Sequence, residues 1–439
     1  LATGTTDPLK AKAVVFRGNN QTAAFVIADL TGISRDLYLE VRNKASKKTG
    51  IPVENIVLSA THSHTAPDYS RRLYAYLDKN SKTDKANSYS AQLIDSISKA
   101  IINAHTAAQP AILEAGSAKQ TFPVSFNRRF VMKDGSVKTW QSLSNPDVLR
   151  AAGPIDPEIG LLLIKSSDGK TTRGLISNFA LHLDTVGGKN KQTWSADFPY
   201  FIEQAMRKEF GDQLISVFGA GTCGDINHSD PTRKTRNTTE IIGTSLAQTI
   251  SPALSKLVAV KDPKFQVRSE TVHLPLQVIR KHELEKALHI LKLQDAGENV
   301  AFFDRVESHK AVFIDQLRHK TSPDKKADYL NRRSSHAWGG IGESLPVEVT
   351  TMTIGNEVAI VFLPGEVFVD LGLAIKQASP FRTTLIIELS NCVETYYIPT
   401  RAACAGGSYE VTNSNVQPGS GEMLVESALK LLRQSAADE

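Results

Sequence analysis

The segment SATHSHTAPD, residues 59–68, places His62 and His64 two positions apart just after the apolar run Ile56-Val57-Leu58. In an extended segment, residues i and i+2 point to the same face, so both imidazoles are expected to look into one space. A metal centre or a proton-transfer site needs that arrangement. Other polar groups also stand where an apolar run stops. His182 lies in NFALHLDTVGG and Asp197 in SADFP. The loop FGAGTCGDINH carries Cys223, Asp225, Asn227 and His228. Glu366 follows Pro-Gly in VFLPGEVF, and Tyr396 and Tyr397 lie in NCVETYYIPT. In α/β folds that edge of a sheet is where ligands bind. Taken singly, each has a plainer reading. A lone histidine at a strand end is more often a hydrogen-bonded structural group. Helix first turns favour an acidic residue, paired tyrosines often pack, and Cys223 has no flanking pattern of a nucleophile. Taken together, two histidines, a glutamate and a tyrosine make a nitrogen and oxygen donor set that suits zinc, with a position left for water.

Elements able to hold these groups follow from the pattern. AKAVVFRG and TAAFVIADL read as strands joined by the turn NNQ. SRDLYLEVRNKASKKTG reads as a helix ended by Gly50, and NIVLSATHSH as the next strand. Leu93, Ile94, Ile97, Ile101 and Ile102 recur at helical spacing in SYSAQLIDSISKAIINAHTAA. GLLLIKSSDGKTTRGLISNFALHL reads as a hairpin turning at SSDGK. FPYFIEQAMRKEFG is a helix, and LISVFGAGTCGDINH a strand running into a glycine loop. Residues 280–335 read as a helical, charged, partly exposed excursion with Leu284, Leu288 and Leu291 on one stripe. Strands resume at LPVEVTTMTIGNEVAIVFLPGE and TTLIIELSN, and GEMLVESALKLLRQ is a closing helix. This alternation implies an α/β fold, with mixed β-sheets flanked by helices in a single large domain over residues 1–439.

Composition narrows the function classes. The 439 residues are 41% hydrophobic and 22% charged, with a net charge of +5, which is ordinary globular usage. No long basic block or basic-aromatic interleaving is present, which disfavours nucleic acid as a partner. No apolar run reaches membrane-spanning length, so stable membrane insertion is not expected. Three cysteines are too few for a disulfide scaffold, and their spacing fits no zinc finger. The chain opens without Met, which suggests that a preceding segment, and any targeting signal in it, has been removed.

The segments ATHSHTAP, FNRRF, NPDVLRAAGPIDPEIG, NFALHLDT, SADFP, GTCGDINH, LPGEVFVDLG and YIPT occur in one order over nearly the whole chain. With that order the sequence resembles the neutral (non-lysosomal) ceramidases, in particular the bacterial ceramidase-like proteins related to their catalytic domain. The resemblance implies one zinc ion held by His62, His182, Glu366 and a tyrosine of YYIPT. Tyr397 directly precedes Ile-Pro-Thr and is preferred, although spacing from Asn391 points to Tyr396. It also implies catalytic roles for His64 and for Arg128, the latter as a substrate contact. Asp184 and Asp225 become candidates for fixing the imidazoles, against a plainer role as turn-forming aspartates. The expected activity is hydrolysis of an amide by a metal-activated water, on a small-molecule or lipid substrate, in a secreted or periplasmic protein. An esterase or deacetylase on the same centre, or a non-catalytic binding protein with a structural metal, are the competing expectations. Three departures stand out. Asn227 occupies the position of the serine proposed as nucleophile in the family, Ala66-Pro67 replaces Gly-Pro, and the sequence lacks an immunoglobulin-like C-terminal domain and the family's opening strand.

Overall fold

The computed structural model describes residues 2–18, 20–77, 88–187, 192–319 and 339–437. Its sheets are built around three strand–helix–strand units. Gln21–Ala28 pairs in parallel with Ile56–Ala60, with helix Arg35–Thr49 between them. Thr172–Phe179 pairs in parallel with Ile215–Ala220 through helix Phe198–Phe210. Val358–Phe362 pairs in parallel with Thr383–Ile387 through helix Val369–Ala378. Parallel neighbours need such a crossover, whereas antiparallel ones can join by a tight turn. The expected hairpins supply the antiparallel strands. Glu158–Ser166 pairs with Thr172–Phe179, and Ser344–Ile354 with Val358–Phe362. The result is a three-stranded, a five-stranded and a four-stranded mixed sheet.

The inner faces of the three sheets meet at Phe25, Leu162, Ile176, Phe362, Leu385 and Ile387, all buried. Helices cover the outer faces. Helices Arg35–Thr49 and Tyr89–Thr106 pack through Leu37, Val41, Ile97 and Ile101. Ile202, Met206, Leu246 and Ile250 belong to helices Phe198–Phe210 and Thr239–Leu254 on the five-stranded sheet. Leu371, Leu424 and Leu431 belong to helices Val369–Ala378 and Ser420–Ala437. Truncating a fully buried ring such as Phe362 to alanine would cost about 3–5 kcal/mol. Local signals agree with the helix limits. Ser34 accepts a capping bond from Leu37 N, and Gly50 adopts the left-handed conformation that ends the helix.

Within the 280–335 excursion, helices Lys281–Asp295 and Phe302–His319 pack on each other through Ala287, Leu291, Ala311 and Val312. Phe313 and Leu317 of the second helix enter the main core. The rest of the excursion, from residue 320, lies outside the described residues.

Candidate metal centre

The three crossover units direct the carboxyl ends of their strands toward one place, where a twisted α/β sheet offers its binding edge. His62 follows Ile56–Ala60, His182 follows Thr172–Phe179, and Glu366 follows Val358–Phe362. The strand before the histidine pair stops at Ala60, and His62 has φ 74°, in the left-handed region. The strand pleat therefore does not bring the two rings together; a tight turn does. His62 N and Ser63 N donate to Leu30 O at 3.0 and 3.1 Å, and His64 N donates to Leu183 O at 3.0 Å.

Hydrogen bonding sets the tautomers. His62 Nδ1 lies 2.6 Å from Thr31 O, and His182 Nδ1 lies 2.8 Å from Cys223 O. A carbonyl oxygen only accepts, so each Nδ1 carries the proton and each Nε2 presents a lone pair. Those two Nε2 atoms are 3.2 Å apart, and His64 Nε2 is 3.1 Å from that of His62. Glu366 Oε2 lies 3.4 Å from His62 Nε2 and 3.3 Å from His182 Nε2, is buried, and has no hydrogen-bond donor among the described residues. In their neutral forms the two imidazoles thus turn lone pairs toward one another and toward an anionic oxygen. Such a cluster is repulsive by itself and becomes favourable around a cation, and its imidazole and carboxylate donors suit zinc.

Glu366 owes its position to its neighbours. Gly365 has φ 67°, and a Cβ there would lie 2.1 Å from Thr395 Oγ1 and 2.6 Å from Tyr396 O. A Cβ on Gly224 would lie 2.6 Å from Glu366 O, so the loop before Asp225 needs a glycine to pass under the site. Glu366–Val367 pairs in parallel with Tyr397–Ile398, with Glu366 opposite Tyr397. The Tyr397 hydroxyl accepts a bond from Arg128 Nη2 at 3.0 Å. Tyr396 also borders the cavity, but its backbone is left-handed and its ring packs edge-on to Phe313 at 5.6 Å.

Arg128 is buried and placed behind Tyr397. Its Nε donates to Glu410 Oε1 at 2.7 Å and its Nη2 to Gly224 O at 2.9 Å. Asp225 uses its two carboxylate oxygens to accept from Asn127 Nδ2 at 2.8 Å and Val369 N at 2.9 Å. Asp184 pairs with His228 Nδ1 at 3.0 Å. The Nδ1 protons of His62 and His182 go to backbone carbonyls rather than to either aspartate. Asn227 is buried and its Oδ1 accepts from Ser229 N. The Cys223 thiol donates to Glu388 Oε1 at 2.9 Å, and burial pushes that thiol well up, away from a reactive thiolate.

Burial opposes charge throughout the cluster. Against it, the facing imidazoles hold the Glu366 carboxylate well below the usual range, and Glu366 holds His62 up. His182 is lowered by burial and then by Arg128. His64 is exposed and opens onto the cavity. Desolvation, then His62 and His182, push it down to about 3, so it is neutral at physiological pH.

The cavity beside the cluster has a volume of about 450 Å³. Three of its features were not evident from the sequence. Tyr409 packs 5.8 Å from the Tyr397 ring, 4.7 Å from Trp140 and 5.9 Å from Phe302. Glu410, fully buried, anchors Arg128 from 282 residues away. Helix Phe302–His319 lines the same cavity as His62 and His64.

Residues 1–254 match the family model described as neutral/alkaline non-lysosomal ceramidase, N-terminal. Among solved structures, the chain is similar to the neutral ceramidase from Pseudomonas aeruginosa, with a TM-score of 0.65 and 19% identity, covering 97% of this chain and 69% of that one. It is also similar to a structure described as ceramidase complexed with C2, with a TM-score of 0.64 and 18% identity, covering 97% and 70% of the two chains. At these identities the structural likeness speaks for the fold.

Proposed function

This chain belongs to the neutral/alkaline non-lysosomal ceramidase family, a family of hydrolases, and from that premise we propose that it is a zinc-dependent amide hydrolase. The observation that carries the reading is the convergence of the His62 and His182 Nε2 lone pairs on Glu366 Oε2, which has no hydrogen-bond donor among the described residues. In this reading His62, His182, Glu366 and Tyr397 hold the ion. Zinc bound there supplies Lewis acidity and lowers the pKa of a bound water to about 7.

The remaining chemistry belongs to the chain. His64, neutral and open to the cavity, donates a hydrogen bond to the carbonyl oxygen as negative charge develops on it, and the proton that the leaving amine takes up is the one released by the attacking water. Arg128 acts as a positioning residue, holding the Tyr397 hydroxyl in line with Glu366. The Thr31 and Cys223 carbonyls keep both ligand imidazoles in the tautomer that binds a cation. Asn227, at the position of the family's serine, has no acidic proton to give up as a nucleophile, which favours attack by water.

A panel of N-acyl amides and matched esters, incubated with and without chelator, tests the proposal. Chelator-sensitive amide cleavage is expected, and His62→Ala should lose zinc and turnover together. Cleavage that persists without metal, or full zinc occupancy in His62→Ala, would contradict it.

A further inference from the structure

Helix Phe302–His319 gives the cavity a chemistry that a purely hydrocarbon ligand would not need. Arg305, His309 and Gln316 recur at helical spacing and line the same cavity as His62 and His64. Among the described residues that line it, Glu366 is the single acidic group, and it faces the imidazoles. Lys310 also lines the cavity, where burial lowers its ammonium and Glu307 and Glu283 only partly offset the loss. Its Nζ donates to the neutral Gln277 Oε1 at a long 3.3 Å. Arg305 lies over the Phe302 ring at 5.6 Å, and that ring leads through Tyr409 to Tyr397. Gln316 is 1% exposed, yet among the described residues neither its Oε1 nor its Nε2 has a hydrogen-bond partner. Leaving a buried amide unpaired is costly, so both atoms call for a partner from the cavity side.

We propose that the cavity takes an N-acyl compound whose amine half carries an anionic group, read by Arg305 and Lys310, with the Gln316 amide hydrogen-bonding its polar backbone. This deepens the amide-hydrolase reading and rests on it. A carboxylate suits the arrangement because a guanidinium pairs with it through two parallel hydrogen bonds. The apolar half has exposed aromatic surface at hand, where Phe302 and Trp140 flank Tyr409.

The test compares N-lauroylglycine with its neutral isostere N-lauroylglycinamide on the zinc-loaded full chain. Hydrolysis is read as kcat/KM. Binding is read by calorimetry with the uncleavable ketone isosteres of both compounds, in which CH2 replaces the amide N–H. A preference of about tenfold or more for the carboxylate is expected, and it should collapse toward unity in Arg305→Gln/Lys310→Met and be kept only in part in Arg305→Lys, which retains the charge but not the paired hydrogen bonds. Gln316→Leu should raise the melting temperature while weakening both ketones, since it removes an unpaired buried amide that the ligand would satisfy. Equal or better binding of the neutral ketone overturns the inference. So does a preference that survives Arg305→Gln/Lys310→Met, which would place the carboxylate on the metal. If neither amide is cleaved but the carboxylate ketone still binds preferentially through Arg305, the hydrolase reading fails and the anion site stands.

Discussion

The buried Arg128–Glu410 pair allows a quantitative test. Their side chains are 3% and 0% exposed and meet at 2.7 Å, so solvent screening does not weaken the pair as it would at the surface. Glu410→Gln leaves the Arg128 guanidinium buried without its counter-charge, whereas in Arg128→Met the carboxylate keeps Arg129 Nε at 3.5 Å and the Thr139 hydroxyl at 2.8 Å. The first change is expected to cost about 3–5 kcal/mol and the second, which leaves a still-partnered carboxylate, about 1–3 kcal/mol. Removing both charges together leaves the Gly224 carbonyl and the Tyr397 hydroxyl without their donor and Arg129 without Glu410, a loss of about 1–3 kcal/mol. The double mutant should therefore be more stable than the sum of the singles by about 3 kcal/mol. Urea unfolding of the four proteins, followed by tryptophan fluorescence, reads this directly, because Trp140 lies over the Arg128 guanidinium at 5.9 Å. Single mutants that add to the double within about 0.5 kcal/mol would refute the claim that the pair acts as one buried unit. Zinc content of the same proteins should fall in Arg128→Met, since Tyr397 loses its anchor.

Gly365→Ala should lower zinc affinity sharply with little change in overall secondary structure, because the added methyl collides with Thr395 and Tyr396 beside Glu366; unchanged affinity by competition with a chelator would contradict this. The pH dependence of stability has a definite sign. Burial raises Asp29 and Asp197 to about 6 and Glu394 to about 7, so the folded protein holds protons that the unfolded chain has released. Their contribution is complete below the ordinary carboxylate values and is lost as pH rises through about 6 to 7. Stability should therefore fall between pH 5 and pH 8, with Glu394 accounting for about 3 kcal/mol of the loss. In Glu394→Gln the urea midpoint should vary less across this range, whereas an equally steep profile would show that Glu394 is not the group responsible.

The part of the site legible in the sequence is the part carried by strand ends. His182 and Glu366 each follow an apolar run that ends a parallel strand, and this pattern survives in one dimension. His62 was found for a reason that the structure replaces, since the strand stops at Ala60 and a left-handed turn brings the two rings together. Tyr396 and Tyr397 could not be separated by spacing, because the difference lies in a two-residue pairing that sets Tyr397 opposite Glu366. Glu410 gave no signal, as the charge it balances is 282 residues away in the chain. Helix Phe302–His319 was read as part of a partly exposed, charged excursion. Its cavity-facing stripe differs from a solvated face only through the partner surface that the fold brings to it.

The most direct test of the whole account is a crystal of the zinc-loaded protein with data collected on both sides of the zinc absorption edge. A single anomalous peak is expected within bonding distance of His62 Nε2, His182 Nε2, a Glu366 carboxylate oxygen and the Tyr397 hydroxyl. A peak elsewhere, or none at full zinc saturation, would contradict it.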